Sequence, residues 1–169
     1  MLATRKADIF RKMTNVTTGM VFATAMSGAL VAGLDAGLVY NEFPYMGEGL
    51  IPSDMWALSE PKTGREPIPW YMNLLENPSA VQFDHRVLAV STFTAIVGLW
   101  AYSRRVPLPP QARLAVNTLL GVGVAQVSLG IATLVYFVPV SLAASHQAGS
   151  LTLLTASLWL RHVLKRIPK

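Results

Sequence analysis

The sequence predicts an all-α polytopic membrane protein, four transmembrane helices in one bundle built as two repeated hairpins. Three observations predict it. The 169 residues are 52% apolar and only 14% charged, against about 25% charged in an average soluble domain. Such a chain cannot cover its surface with polar groups, so a bilayer is the expected solvent. Four apolar runs each have the length to cross a membrane. The basic residues fall into three segments that four crossings place on one side.

The runs lie at roughly 17–40, 82–102, 114–137 and 142–164. Each has about 20–24 residues, or about 30–36 Å as helix, enough to span the hydrocarbon core. Before the first run stand Arg5, Lys6, Arg11 and Lys12. Between the second and third stand Arg104, Arg105 and Arg113. After the fourth stand Arg161, Lys165, Arg166 and Lys169. These are eleven of the 14 basic residues. The positive-inside rule then puts both termini in the cytoplasm or matrix. Tyr40, Trp100, Tyr102, Tyr136 and Trp159 fall near span ends, where an aromatic belt belongs. Topology thus accounts for the basic patches, and no nucleic-acid partner is expected. The basic start MLATRKADIFRKM contains Asp8 and reads as a juxtamembrane segment rather than a transit peptide. Residues 1–169 are expected to form one domain.

The connection at 41–80 carries Glu42, Glu48, Asp54, Glu60, Glu66 and Glu76 against Lys62 and Arg65. It is long and rich in Pro and Gly, and long connections are usually functional or disordered. Its aromatics, in NEFPYMGEGLIP and EPIPWYM, point to a structured cap on the acidic face. The connection between the third and fourth runs is only a few residues around Pro139.

Cysteine is absent. That excludes disulfides, thiolate ligands, iron–sulfur clusters and a catalytic thiol. The chemistry-bearing residues inside the runs are therefore few. VQFDHRVLAV (81–90) places Asp84, His85 and Arg86 at the mouth of the second span, and SLAASHQAGS (141–150) places His146 in the fourth.

The two histidines are twins in spacing. His85 stands 22 residues before Pro107 in SRRVP, and His146 stands 22 before Pro168 in LKRIP. Thr94 and Ala95 fall on Thr155 and Ala156. The first and third runs both contain LVY, at Leu38–Tyr40 and Leu134–Tyr136. The first hairpin is thus repeated as the second, about an axis along the membrane normal. Twenty-two helical residues rise about 33 Å, roughly one hydrocarbon thickness. Both histidines then lie near the acidic face, at one depth, on two helices that run the same way. Two imidazoles so placed can ligate one metal centre from both sides, and haem is the natural cofactor of a bundle core. A structural zinc would want four ligands, and no third His lies at that depth. The alternative is a pair of interfacial histidines with no cofactor.

Other residues carry weaker readings. Ala143, Ala144, Ala148, Gly149 and Ser150 around His146 would leave room for a ring. Gly33 and Gly37 form a small-xxx-small step that allows close helix approach or ring contact. Asp35 reads as the acid well inside a span; it either reaches water or caps a histidine N–H. Arg86 either pairs with a haem propionate or anchors at the interface. Gln147, beside a proposed ligand, could hydrogen-bond locally. Asn117 and Gln126 are candidates for interhelical hydrogen bonds. His162, beside Arg161 near the basic face, reads as interfacial.

GLDAGLVYNEFPYMG (33–47), ENPSAVQFDHR (76–86), SRRVPLP (103–109) and SLAASHQAGSLTLLTASLWL (141–160) closely resemble haem A synthase of the mitochondrial type. The resemblance covers nearly the whole chain, and it is to the C-terminal half of a family with eight spans in two similar four-helix halves. It implies an oxidoreductase that converts haem O to haem A for cytochrome c oxidase assembly. His85 and His146 match the histidine pair of the second half, which the resemblance implies holds haem b. The substrate haem O and a glutamate important for the chemistry belong to the first half, whose positions have no counterpart here. The implied setting is the mitochondrial inner membrane, or a bacterial inner membrane. The implied partners are lipid, haem, a separate N-terminal half, haem O synthase or a second copy. Two alternatives stand beside this reading: a bis-His b-type cytochrome acting only in electron transfer, and a four-span assembly protein with no cofactor.

Overall fold

The computed structural model describes residues 2–59 and 68–165, with side chains from residue 5 onward. Four long helices dominate it: α1 (Leu2–Gly33), α3 (Pro78–Ser103), α4 (Pro110–Val135) and α5 (Val140–Lys165). A single turn, α2 (Asn73–Glu76), and two 3-10 turns lie in the first connection. No strand is found among the described residues. Pro168, half of the second His-to-Pro spacing, lies outside them.

Prolines set the helix starts. Pro78 follows Asn77, whose side chain accepts from the Ser79 N–H at 3.0 Å, and Pro110 opens α4. Proline suits the first helical position because its missing N–H would be unpaired there anyway. The α1, α3 and α4 helices are long and apolar enough to cross a membrane; α5 is as long as α3 and α4 but falls short in hydropathy. Its first half, VSLAASHQAGS, carries too many hydroxyl and amide groups. The expected four apolar runs are therefore four long helices, of which three meet the span criterion by composition.

The helices pack as a ring. The α1–α3 and α4–α5 hairpins are closed by α1 against α5 and α3 against α4. This leaves α3 and α5 on one diagonal, running the same way. The hydrophobic core is uneven along the bundle. Its buried cluster comes from Phe10, Val21, Ile96, Leu99 and Val106, from the start of α4 (Ala112, Ala115, Val116, Leu119) and from the second half of α5 (Leu153, Ala156, Leu160, Val163, Leu164). These residues occupy the end with the basic clusters and the middle. Among the described residues, the stretches 22–33, 82–95, 120–135 and 140–152 contribute none of that cluster.

The internal repeat is visible in the backbone. Leu34 N–H donates to Leu30 O and Asp35 N–H to Ala32 O; 102 positions on, Tyr136 N–H donates to Ala132 O and Phe137 N–H to Leu134 O. Asp35 and Phe137 both take a left-handed conformation, at φ 49° and 59°. The correspondence of α1 with α4 is thus 102 residues, whereas the two LVY triplets are 96 apart. The LVY match is therefore out of register with the structural repeat, because helix ends, not apolar triplets, define it.

Two expectations are corrected here. Asp35 is not inside a span: α1 ends at Gly33, and Asp35 is exposed just beyond it. Gly33 and Gly37 do not form a helix-packing step. Gly33 meets nothing within 4 Å, and Gly37, past the helix end, faces Val138 of the α4–α5 turn. Asn41 reinforces that junction, donating to Gly37 O and Leu134 O at 3.0 Å each.

Candidate functional site

The site is built on the diagonal. His85 lies seven residues after the start of α3, and His146 six after the start of α5. At about 1.5 Å per residue the two are level to within about one residue's rise. The rings lie within electrostatic reach of each other. The structure therefore brings the two sequence-predicted ligands to one level, in the half of the bundle that the apolar cluster does not fill.

Each histidine lies across a glycine of the preceding helix in its own hairpin. A β-carbon on Gly28 would stand 3.2 Å from His85 Cε1, and one on Gly130 would stand 2.9 Å from His146 Cε1. Both glycines precede their helix end by five residues, and they are 102 positions apart. The repeat thus reproduces the histidine seat, although no reading of the sequence singled out Gly28 or Gly130. One signal could have found them: glycine five residues before the end of each hairpin's first helix. It needs the helix ends, which periodicity alone did not supply.

The polar neighbours of the two rings differ. Ser27 Oγ lies 2.8 Å from His85 Nδ1 and also donates to Thr24 O at 2.8 Å. His146 Nδ1 is buried with no hydrogen-bond partner. Its backbone carbonyl accepts from Gln126 Nε2 at 2.9 Å, and the amide oxygen of Gln126 is buried and unpaired beside Gly149, where a β-carbon would run into it. Gln126 is the interhelical residue expected, here spent on the histidine's own helix. Asn117 likewise accepts from Trp100 Nε1 across α3 and α4 at 3.0 Å.

Above the pair sits the cap. Arg86 donates to Tyr40 O at 2.9 Å and Tyr45 O at 3.1 Å, and Gln82 donates to Tyr40 O at 3.0 Å. Arg86 Nε and Gln82 Oε1 remain buried and unpaired one turn apart on α3. Arg86 thus fastens the cap to the helix that carries His85. Asp54 accepts from Tyr40 Oη at 2.8 Å and Ser79 Oγ at 2.6 Å. Burial pushes the Asp54 carboxyl up, but the Ser79 and Tyr40 hydrogen bonds outweigh it and hold the group below its usual value. Burial and Asp54 together push the Tyr40 phenol up. Asn77 donates to Asp54 O and Met55 O, and Asn73 is bonded to Ser59 and Trp70. The described part of the 41–80 segment is therefore hydrogen-bonded onto the start of α3. Glu60, Lys62, Arg65 and Glu66 lie outside the described residues.

Other candidates are not brought to the pair. Gln147 is exposed, and its carbonyl accepts from Ser150 Oγ within α5. Asp35 is exposed beyond α1, and His162 is exposed near the end of α5. No cluster of three or more His, Asp or Glu suited to a metal ion occurs among the described residues.

Long helices, three of them apolar enough to cross a membrane, define the class: a helical membrane protein. Comparison with known proteins narrows it. Residues 1–158 match the model of the cytochrome oxidase assembly protein family COX15-CtaA, and the chain belongs to that family. It is 51% identical over 166 residues to heme A synthase COX15 of Bos taurus, covering 98% of this chain and 38% of that protein. It is 44% identical to the heme A synthase of Nitrosospira multiformis, over 88% of this chain and 39% of the relative. It is also 48% identical to a heme A synthase–mitochondrial ferredoxin fusion protein of Schizosaccharomyces pombe, over 91% of this chain and 26% of that protein. The chain thus spans well under half the length of these relatives. No solved structure matches it.

Proposed function

We propose that this chain is the haem b-binding C-terminal half of a haem A synthase-type oxidoreductase, which converts haem O to haem A for cytochrome c oxidase assembly. The observation that carries the reading is the level placement of His85 and His146 on diagonal helices, each seated on a matched glycine. The residues present fit a haem. A bare ion would need more than two ligands, whereas a macrocycle fills four equatorial positions itself and asks only for two axial groups. The glycine seats of the two rings, and the absence of buried-cluster side chains at this level among the described residues, agree with that demand.

His85 and His146 would supply the axial nitrogens. Arg86, the residue next to His85 on α3, keeps an unpaired Nε that is suited to a propionate. Bound there, haem b supplies one-electron redox chemistry. With His85 and His146 both holding the group, the pair would support electron transfer rather than oxygen chemistry. This favours a second reading for the chain by itself, a bis-His b-type cytochrome. Haem O and the residues that oxidise it then belong to the portion of the relatives that this chain does not match. The relative fused to a mitochondrial ferredoxin supports a ferredoxin as electron donor.

In this reading all four long helices cross the mitochondrial or bacterial inner membrane. Their basic ends and both termini face the matrix or cytoplasm, with the cap on the other side. α5 crosses despite its lower hydropathy because its polar residues include the ligand and side chains bonded within the helix. A separate N-terminal half, haem O synthase and a second copy are the protein partners proposed. Haem O conversion by a full-length relative carrying the His85→Ala or His146→Ala equivalent tests the reading. Loss of haem A formation with haem O still bound supports it; undiminished conversion by both variants overturns it.

A further inference from the structure

The two histidines are not equivalent, and the difference lies in Ser27. A serine hydroxyl has one proton to donate and can accept in addition. In this structure Ser27 Oγ donates to Thr24 O, the backbone carbonyl one turn before it on α1, at 2.8 Å. With its proton there, the same oxygen accepts from His85 Nδ1, also 2.8 Å away. That arrangement keeps the His85 proton on Nδ1 and leaves Nε2 as the lone-pair nitrogen.

We propose that Ser27 is a positioning residue that fixes His85 as the Nδ1–H tautomer and makes it the anchored member of the pair, with His146 the exchangeable one. The inference rests on the haem-binding reading for its consequence, but the tautomer belongs to the protein with or without haem. The partner of a ligating imidazole's second nitrogen sets ring orientation and raises ligand basicity. His85 has such a partner, and Gly28 confines the ring from the α1 side. His146 has no hydroxyl partner: the Gln126 side chain donates to its backbone carbonyl, Nδ1 is unpaired, and what lies near its ring is the Gln126 main chain. The repeat supplies no substitute, because the position 102 residues after Ser27 is Leu129. Thus the helices and glycine seats are duplicated in the two hairpins, but the tautomer lock is not.

Two measurements test this. In the detergent-solubilised protein without haem, long-range nitrogen–proton NMR correlations of ¹⁵N-histidine should show His85 as the Nδ1–H form. Ser27→Ala should convert it to a tautomer mixture, and Ser27→Thr, which keeps the hydroxyl, should restore it. A dominant Nε2–H form in the wild type, or no change in Ser27→Ala, overturns the proposal whatever haem does. In titrations with ferric protohaem, Ser27→Ala should weaken binding about 10-fold or more and raise the midpoint potential, since a less basic ligand stabilises ferric iron less. Ser27→Thr should stay close to wild type. Added imidazole should replace His146 before His85 in the wild type, as judged by comparison with the two His→Ala variants. Equal replacement of both, or unchanged affinity and potential in Ser27→Ala, counts against the anchored-ligand role. A wild-type protein that binds no haem sinks the functional reading instead, and leaves the NMR result to decide the tautomer.

Discussion

Gly130 stands so close to the His146 ring that a β-carbon on it would lie 2.9 Å from Cε1 and 3.3 Å from Nε2. Real side chains do not tolerate the shorter distance, so the ring would have to move. Gly130→Ala is therefore expected to displace His146 at a cost of about 1–3 kcal/mol, typical of overpacking. Haem retention should fall several-fold with helix content unchanged by circular dichroism. Gly28→Ala, where the corresponding distance is 3.2 Å, should have the same sign and a smaller size. Wild-type haem retention in Gly130→Ala would show that the seat does not constrain the ring.

The three histidines separate the site from the interface. His85→Ala and His146→Ala should each lose or strongly weaken haem, while His162→Ala, exposed near the end of α5, should leave it unchanged. Pyridine haemochrome content after identical haem supplementation measures this. Equal losses in all three variants would contradict the pairing.

The cap should depend on Arg86. Its bonds to Tyr40 O and Tyr45 O join the loop to α3, and hydrogen bonds from a charged group contribute about 1.5–3 kcal/mol each when protected from water. Exposure of one of them lowers that figure. Arg86→Ala should speed proteolytic cleavage within 41–59 while α4 and α5 stay protected. Unchanged cleavage would mean that Asp54, Asn73 and Asn77 hold the cap without it.

Acid should loosen the cap through Asp54. Its carboxyl is held below the usual 3.8 in the folded protein. Its stabilising contribution is fully present above that value and is lost as the pH falls through the lower folded value. Tyr40 has the opposite sign: its phenol is raised from 10.0, so its contribution is present below that value and lost as the pH rises through the higher folded one. Amide exchange in 41–59 should accelerate at both extremes. In Asp54→Asn the acid limb should disappear; persistence of the limb would assign it to another carboxylate.

Composition, apolar run length and the charge pattern made the long helices, their order and the repeated hairpins legible. The equal His-to-Pro spacings also placed His85 and His146 at one level. What remained hidden depends on where helices stop. Asp35 lies in GLDAGLVY, whose apolar content reads as span, but the backbone leaves the helix after Gly33 through a left-handed residue. The same early stop moved Gly37 out of α1 and put the LVY match out of register. Gly28, Gly130 and Ser27 escaped notice because small residues in an apolar run read equally well as helix packing. Only the facing helix shows which of them meets an imidazole. Gln147 is the converse case, since adjacency in sequence to His146 turns its side chain about 100° around the helix and onto the exposed face.

The central claim is that His85 and His146 hold one haem between them. The most direct measurement is the optical and electron paramagnetic resonance spectrum of the detergent-purified chain after haem supplementation. The expected spectrum is low-spin, six-coordinate and b-type, and it is lost in His85→Ala and in His146→Ala. A colourless protein, or a spectrum unchanged in either variant, would contradict it.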